Sequence, residues 1–566
     1  MQRPARQRRA GPLTVAAALW LLMTPASLAA PVAGSRPYDT LLTELERILQ
    51  DLESFDAIVA APTVGAPAKG SELRLPAPAA LAIPQGSSAL TVGQRVRLSL
   101  PQALALAVKN SPALAQSVAD VERDRANLRA AWGRYAPTLS LSLGALGAQR
   151  LERNEALIGN TSIYPSSSPF FVESGSWKRG LFNSGAALLN LTEQYVLLDF
   201  SRGPALARAQ DRLDATRQSY ADNLRQLQLS ISESYYAIQL SELRKRIRLA
   251  EVFNNEAVRE QASALHRSGI VPRVDVLRAE AALQQSRFQL AQEEANLLSN
   301  QRGLSNLVNV PFDVTLLATD SVQLQPSWPL DLPQTLAAGF ANNPQLRAIE
   351  AARSALLRQA DEQAAALLPS LSVYVSAQLG QSTVADTNRS TTGCCGAAVI
   401  PELRTGTVGW AAGLQLNWTL MDGGVSRGLA DASRAQALST SERQAQERNA
   451  IRQRLEQAFF QHQASLMQVI AARASLKAAR EAFRDMRARY QLGLSDYTDV
   501  SDAIVSLTQA MEEKATAITT ANISYARMLR DLLPVPDAPE RDVVLPITLP
   551  QSPSQTPQPV AQPGGG

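Results

Sequence analysis

The sequence is short of the residues that enzyme active sites most often use. Only 2 of its 566 residues are histidine, 2 are cysteine, and 5% are aromatic. The cysteines, Cys394 and Cys395, are adjacent, which is neither a metal-ligand spacing nor a disulfide framework. No glycine-rich phosphate loop, nucleophile elbow or metal-ligand cluster occurs. The sequence therefore predicts neither an enzyme nor a bound cofactor.

The sequence also lacks a second long apolar run. Residues 1–30 have the pattern of a secretory signal: four arginines, an apolar run over 13–23, then small residues. A retained anchor helix is the alternative, but the apolar run is shorter than a bilayer-spanning helix needs. No later run reaches about 20 apolar residues, which excludes a helical inner-membrane transporter. Without the four arginines the formal net charge falls from +4 to 0, so the basicity gives no sign of nucleic acid.

Glycine and proline are missing from two long stretches, 205–268 and 429–492, of 64 residues each. Apolar residues recur there at helical spacing, so each stretch predicts a helix of roughly 95 Å. A tight turn at Gly269 or Gly493 follows, and then a second helix-forming segment, 273–302 or 494–533. The sequence thus predicts two antiparallel helical hairpins, packed as coiled coils because helices this long need lateral partners.

The order of these elements is duplicated. Residues 98–104 return at 330–336, and 110–114 return at 342–346, both at an offset of 232 residues. We expect a first repeat over 98–311 and a second over 330–533. The flanks are a signal peptide at 1–30, an N-terminal extension and Pro/Ala-rich linker at 31–97, and a disordered Pro-rich tail at 534–566.

Each repeat contains two segments that alternate with period two, as strands do. The segment 407–418 places Trp410 and Trp418 on its apolar face. Such strands suit a membrane barrel, although a soluble sandwich strand alternates in the same way. Four strands of roughly ten residues, joined by long outward-facing loops at 147–187 and 381–405, cannot close a barrel alone. Because lipid tolerates no open sheet edge, several chains must share one barrel, and three would supply twelve strands.

Four motifs carry a resemblance to a known family: the opening at 98–104 with 110–114, the step into a strand at 135–139, the strand exit at 420–424, and the hairpin tip at 269–277. Over about residues 95–535 the chain resembles the TolC-like outer membrane efflux family. The resemblance implies a mainly α fold with membrane β structure. It implies a homotrimer whose 12-stranded β-barrel crosses the outer-membrane lipid and continues into a periplasmic α-helical barrel. It also implies a periplasmic adaptor and an inner-membrane transporter as partners, for efflux or type I secretion.

Two pairs of residues at the hairpin tips, Gly269 with Ile270 and Gly493 with Leu494, are expected to form the surface that docks the adaptor. Asp499 and Asp502 lie three apart near a helix start and share one face. Acids there complement the helix dipole and need no further role. The resemblance implies more, because 497–503 matches the family segment that bears a paired-aspartate pore constriction. Ser495 departs from the basic residue that the family often has after the turn glycine.

Two other classes of protein share some of these features. A periplasmic adaptor also has a long helical hairpin, but it would show one hairpin flanked by small β domains. A structural coiled-coil protein of the envelope would have hairpins and no pore. The duplicated hairpins and the lipid-type strands favour a channel subunit over both.

Overall fold

The computed structural model describes residues 75–155, 177–386, 402–533 and 543–549, except Gln85 and Val92, together with Arg47. The expected signal peptide, Cys394 and Cys395 lie outside these residues. Within the described ranges, no helix is both long and apolar enough to cross a membrane.

The first repeat begins and ends with a short strand. Strand β1 (Gln94–Leu98) pairs in parallel with β4 (Val314–Ala318). Between them the chain forms α1 (Leu100–Asn110), α2 (Pro112–Gly133), β2 (Thr138–Glu155), β3 (Trp177–Leu198), α3 (Arg202–Arg267) and α4 (Arg273–Val308).

The second repeat follows the same order of helices and long strands. Its elements are α5 (Leu332–Asn342), α6 (Pro344–Ala364), β5 (Ser370–Asp386), β6 (Glu402–Asn417), α7 (Val425–Gln491) and α8 (Tyr497–Leu532). Except for their last residue, the stretches without glycine or proline lie within α3 and α7, which are single helices of 66 and 67 residues. The duplication read from the sequence is therefore present in the fold.

The duplicated opening motif is a helix start in both repeats. Ser99 accepts a hydrogen bond from the backbone N–H of Gln102, and the Gln102 side chain accepts one from the N–H of Ser99. Asp331 and Gln334 form the same reciprocal pair before α5. This capping box satisfies two helix N–H groups that would otherwise lack partners. The proline of the motif sits in the first turn, where no N–H is needed.

The long strands form one antiparallel sheet in the order β2-β3-β5-β6. They contain 18, 22, 17 and 16 residues, so the expectation of roughly ten was too short. Much of the expected loops at 147–187 and 381–405 is strand. The reason is that backbone pairing continues beyond the apolar alternation, into segments rich in glycine and polar residues.

The two faces of this sheet differ in chemistry. One row of neighbours in register across the four strands is apolar: Leu141, Leu191, Ala377 and Trp410. The next row, on the opposite face, is polar or small: Ser142, Asn190, Gln378 and Gly409. Trp410 is 80% exposed although it is one of the largest apolar side chains. The sheet thus has an uncovered apolar face and a polar face.

Hairpin 1 (α3 and α4) and hairpin 2 (α7 and α8) pack side by side. The helices lie in the order α4, α3, α8, α7, so the hairpins meet through α3 and α8. Leu243 and Ile247 of α3 share one buried cluster with Ile504 and Leu507 of α8. Nearer the sheet the order is α2, α3, α6, α7. In every row, one end belongs to the first repeat and the other to the second.

Two expectations about the flanks are corrected. Strand β1 starts inside the expected linker 31–97, and its Val96 is buried. Residues 543–549, inside the tail expected to be disordered, have no regular secondary structure and pack against the helices. Leu545 is only 7% exposed there, in a cluster with Leu224 and Leu529. A short alternation of apolar residues suffices to dock this segment despite its proline-rich surroundings.

Candidate functional site

Each hairpin ends in a turn built on a glycine with positive φ. The angle is 78° at Gly269 and 71° at Gly493, a region that glycine adopts without steric cost. Ile270 N donates to Leu265 O, and Leu494 N donates to Arg489 O, each at 2.9 Å. These are the long-range bonds of a Schellman motif, which ends a helix and turns the chain. Both turns lie where the sequence predicts them.

The residue after each turn glycine presents an apolar side chain to solvent. Ile270 is 62% exposed, and Leu494 is 74% exposed. Exposed apolar side chains at the turn of a hairpin are a candidate contact surface for another protein.

Helix α8 begins directly after the turn of hairpin 2. Asp496 is its N-cap, and its carboxylate accepts a hydrogen bond from Asp499 N at 3.1 Å. The sequence analysis did not single out Asp496. Its signal was present, because an aspartate just before a run of helix formers is a preferred N-cap.

Asp499 and Asp502 lie in the first turns of α8, and both are exposed. They start a stripe of exposed residues on one face of the helix, which continues with Ser506, Gln509 and Glu513. Neither aspartate is ion-paired within the described part of the chain. The structure therefore brings the two carboxylates together on one exposed face of α8.

Hairpin 1 carries a different charge pattern at the same place. Asp275 follows Gly269 by six residues, as Asp499 follows Gly493. Its carboxylate lies 3.6 Å from Arg278, which stands where hairpin 2 has Asp502. The acid of hairpin 1 is thus compensated within its own helix.

The two tips meet over buried tyrosines. Tyr490 ends α7 and Tyr497 begins α8, and both rings are buried. Burial raises the pKa of Tyr490 to about 12, and the negative charge of Asp275 in the neighbouring hairpin adds to this. Burial also raises the pKa of Tyr497. These phenols therefore stay neutral at physiological pH.

A family model described as outer membrane efflux protein matches residues 103–310 and 339–532. These ranges fall in the two repeats and together cover most of the chain. The chain belongs to the outer membrane efflux protein family.

This efflux family member is similar in sequence to one curated protein and in fold to several solved structures. Protein CyaE of Bordetella pertussis is 28% identical over 301 residues, which are 52% of this chain and 58% of that protein. The outer-membrane channel OprN has a TM-score of 0.58 at 18% identity, over 81% of this chain and 97% of OprN. VceC of Vibrio cholerae has a TM-score of 0.58 at 16% identity, over 76% of this chain and 95% of VceC.

Membership in the outer membrane efflux family decides between the alternatives. The chain is an outer-membrane protein, as predicted. The family is one of channels, not of enzymes. The interpretations as a periplasmic adaptor and as a poreless coiled-coil protein are therefore wrong.

Two further polar side chains, Asp422 and His266, lie near turns and have hydrogen-bond partners. Asp422 accepts hydrogen bonds from Gly424 N at 2.9 Å and Ser426 N at 2.7 Å, which fix the entry into α7. His266 Nδ1 lies 2.9 Å from Val271 O at the tip of hairpin 1. Among the described residues, no group of three or more potential ligands could hold a metal ion.

Sequence reasoning missed Arg225, which is 1% exposed in the middle of α3. Its guanidinium donates to Asn342 O at 3.1 Å, to Arg530 O at 3.3 Å and to Leu533 O. Burial lowers the pKa of Arg225 to about 10, so it remains protonated. Arg225 thus joins the carboxyl ends of α5 and α8 to the first repeat. No local signal marks it, because arginines are frequent throughout both long helices.

Proposed function

We propose that this efflux family member works as a homotrimer that passes solutes or polypeptides from the periplasm to the exterior. Three chains contribute twelve strands to one β-barrel in the outer membrane. The hairpins continue the barrel as a periplasmic α-helical tube. One observation carries this proposal. The sheet has an unpaired strand at each edge, and the row of hairpin helices has an uncovered helix at each edge, within the described residues.

The sheet supports closure between chains. Its order leaves β2 at one edge and β6 at the other, without a strand partner on their outer sides within the described residues. Unpaired backbone groups cannot remain open in lipid. Pairing of β2 with β6 of the next copy satisfies both edges at once.

The helical layer has matching open edges. Its outer helices are α4 and α7. Each exposes apolar residues at heptad-like spacing. On α4 these are Val274, Leu277, Phe288 and Leu298, and on α7 they are Phe460, Met467 and Ile470. Because the two stripes belong to different helices, contact between copies is head-to-tail, which closes into a ring when the rotation fits.

The exposed stripe of α8 supplies the entrance of this conduit. Three chains place six carboxylates, from Asp499 and Asp502, around one aperture. Uncompensated carboxylates at close quarters attract cations, so the entrance favours cations and is blocked by multivalent ones. This role adds to the favourable interaction that acids near a helix N-terminus have with the helix dipole.

The hairpin tips are the docking surface for a periplasmic adaptor, which links the channel to an inner-membrane transporter. Ile270 and Leu494 provide apolar contact area at the end farthest from the sheet. Export of the chain requires residues 1–30 to act as a signal peptide.

Cysteine pairs across the open edges test this proposal. Phe288 and Ala474 each lie 19 residues from the turn glycine of their own hairpin (288 minus 269, and 493 minus 474), and so at similar height. We expect Phe288→Cys with Ala474→Cys, in a chain whose native cysteines are serines, to form disulfides on mild oxidation. A non-reducing gel should then show covalent chains up to three copies.

The matched control moves one cysteine to a different height. Phe288→Cys combined with Leu438→Cys separates the two thiols by several helical turns, so this pair should remain monomeric on the gel. Covalent dimers without trimers from the first pair would indicate a two-fold interface, and the trimer would then be rejected.

A further inference from the structure

The packed segment 543–549, which we name the C-terminal strap, is the second repeat's counterpart of β4. Residues 542–545 read Asp-Val-Val-Leu, and residues 313–316, at the start of β4, read Asp-Val-Thr-Leu. Both segments follow the second helix of a hairpin. Leu316 is fully buried, and Leu545, at the matching position, is 7% exposed. The strap therefore repeats the burial of β4.

The strap differs from β4 in how its backbone is held. Strand β4 is hydrogen-bonded to β1 over five residue pairs. The offset of 232 residues that relates the repeats places the counterpart of β1 at 326–330, which contains Pro326 and Pro329. The strap itself contains Pro546. Proline has no N–H to donate to a ladder. Within the described ranges, no backbone hydrogen bond joins 326–330 to the strap.

Side chains hold the strap instead. Four apolar residues of the strap pack against the helices, whereas Val544 is 44% exposed. The inward residues join three apolar clusters and are Val543, Leu545, Ile547 and Leu549. Gln228 Nε2 donates to Leu545 O at 3.4 Å and to Pro546 O at 3.0 Å. Leu549 N donates to Tyr525 Oη at 3.4 Å.

These anchors come from both repeats. Gln228 and Leu224 belong to α3 of hairpin 1, whereas Tyr525 and Leu529 belong to α8 of hairpin 2. The hairpins meet through these same two helices along their length. The strap therefore crosses the joint at which one hairpin can move relative to the other.

We propose that the C-terminal strap is a releasable fastener that restrains the two hairpins relative to each other. A segment held by a few side chains opens locally at a lower free-energy cost than one held by a strand ladder. While docked, the strap holds α3 against α8 and keeps the tips packed. When it is released, the halves of the hairpins that end at the tips separate more easily. Only the consequence for conductance rests on the proposed channel function.

A pair of adjacent substitutions tests the fastener. Leu545→Asn places a polar group in the buried cluster, whereas Val544→Asn makes a similar change on the exposed side. Removal of 543–566, compared with removal of 550–566 alone, is the matching pair of truncations. For each protein we would measure the melting temperature, hydrogen exchange of α3 and α8, and the open fraction in planar bilayers.

Leu545→Asn should lower the melting temperature by about 2–4 °C, in the range expected for loss of one buried apolar contact in a chain of this length, and removal of 543–566 should lower it further. Both changes should also speed hydrogen exchange in the halves of α3 and α8 nearest the tips. Both should raise the open fraction in bilayers several-fold. Val544→Asn and removal of 550–566 should match the wild type.

Equal behaviour of the Leu545 and Val544 variants would overturn the fastener. A lower melting temperature without faster exchange near the tips would also overturn it, since the strap would then be a local packing element. If the wild type formed no channels in bilayers, the proposed function would fail, and the exchange data would still decide the role of the strap.

Discussion

The two hairpin tips have the same backbone and different charge. In hairpin 1 the acid of the first turn, Asp275, is compensated by Arg278 at 3.6 Å. In hairpin 2 the equivalent Asp499 is followed by a second acid, Asp502, and neither is ion-paired within the described residues. A duplication can therefore keep its turn geometry while only one copy carries two acids without an ion pair in the described part of the chain.

The cores of the two repeats keep the same buried positions but differ in some of the residues that fill them. Counted back from the turn glycines, His462 of α7 stands where α3 has Ile238, and Leu455 stands where α3 has Ile231. All four side chains are buried. Gly339 of α5 stands where α1 has Ala107. The second repeat thus keeps the packing pattern with a different division of volume and polarity.

The largest expected effect is a loss of transport, and it concerns the exposed apolar residue that both tips share. Ile270→Asp or Leu494→Asp should abolish transport while the trimer still assembles, because a charge replaces the apolar contact surface. Transport assays and native gels on the same membranes would measure both. Ile270→Leu and Leu494→Ile are the controls and should transport normally. Unimpaired transport in either aspartate variant would remove that tip from the docking surface.

The charge difference between the tips predicts a difference in selectivity. Asp499→Ala with Asp502→Ala should keep the trimer, lose cation selectivity and lose block by multivalent cations in bilayer recordings. The matched variant in hairpin 1, Asp275→Ala with Arg278→Ala, leaves net charge unchanged and should conduct like the wild type. Equal effects of the two double variants would show that the tips do not differ in function.

A smaller effect is expected on stability, where the two repeats differ in how their first helix packs against the long helix. A Cβ added at Gly339 would lie 2.5 Å from Leu455 Cδ1. Gly339→Ala should therefore destabilise the protein by about 1–3 kcal/mol of overpacking, partly offset by about 0.5–1 kcal/mol from the better helix propensity of alanine. Adding Leu455→Ile, which copies the pair Ala107 and Ile231 of the first repeat, should restore the loss. Thermal unfolding of both variants would measure this, and a Gly339→Ala variant more stable than the wild type would contradict it.

The smallest expected effect is a pH dependence confined to the second repeat. His462 is buried between α7 and α8, with Nδ1 3.2 Å from Ala521 O and from Ser524 Oγ and its ring 5.9 Å from Tyr525. Burial lowers the pKa of His462 below its usual 6.5, so folding favours the neutral ring. Its contribution to stability is complete above pH 6.5 and is lost as the pH falls towards the lowered pKa.

Melting curves of the wild type and His462→Leu between pH 5 and pH 8 would isolate this contribution. The two proteins should diverge progressively as the pH falls below 6.5. Ile238→Leu, at the matching position of the first repeat, should run parallel to the wild type throughout. A constant difference between wild type and His462→Leu would show that His462 does not titrate on unfolding.

Periodicity and breaker residues made most of the architecture readable from the sequence. The absence of glycine and proline over 205–268 and 429–492 predicted the long helices, because no other structure continues so far without either residue. Strand length was less readable, since the sheet extends into segments such as 177–187 where the apolar alternation fades. Asp499 and Asp502 were predicted as a pair on one face, whereas the N-cap Asp496 was overlooked.

By itself, the sequence determined the duplication, the positions of the turns and the pairing of two acids on one helical face. These follow from local rules: the allowed φ of glycine, the capping of helix ends and the repeat of 3.6 residues per turn. The tertiary structure alone decided that Arg225 joins α5 and α8 to the first repeat and that residues 543–549 dock across the joint. Those outcomes depend on contacts between residues hundreds of positions apart, such as Gln228 with Pro546, and no local pattern encodes such a distance.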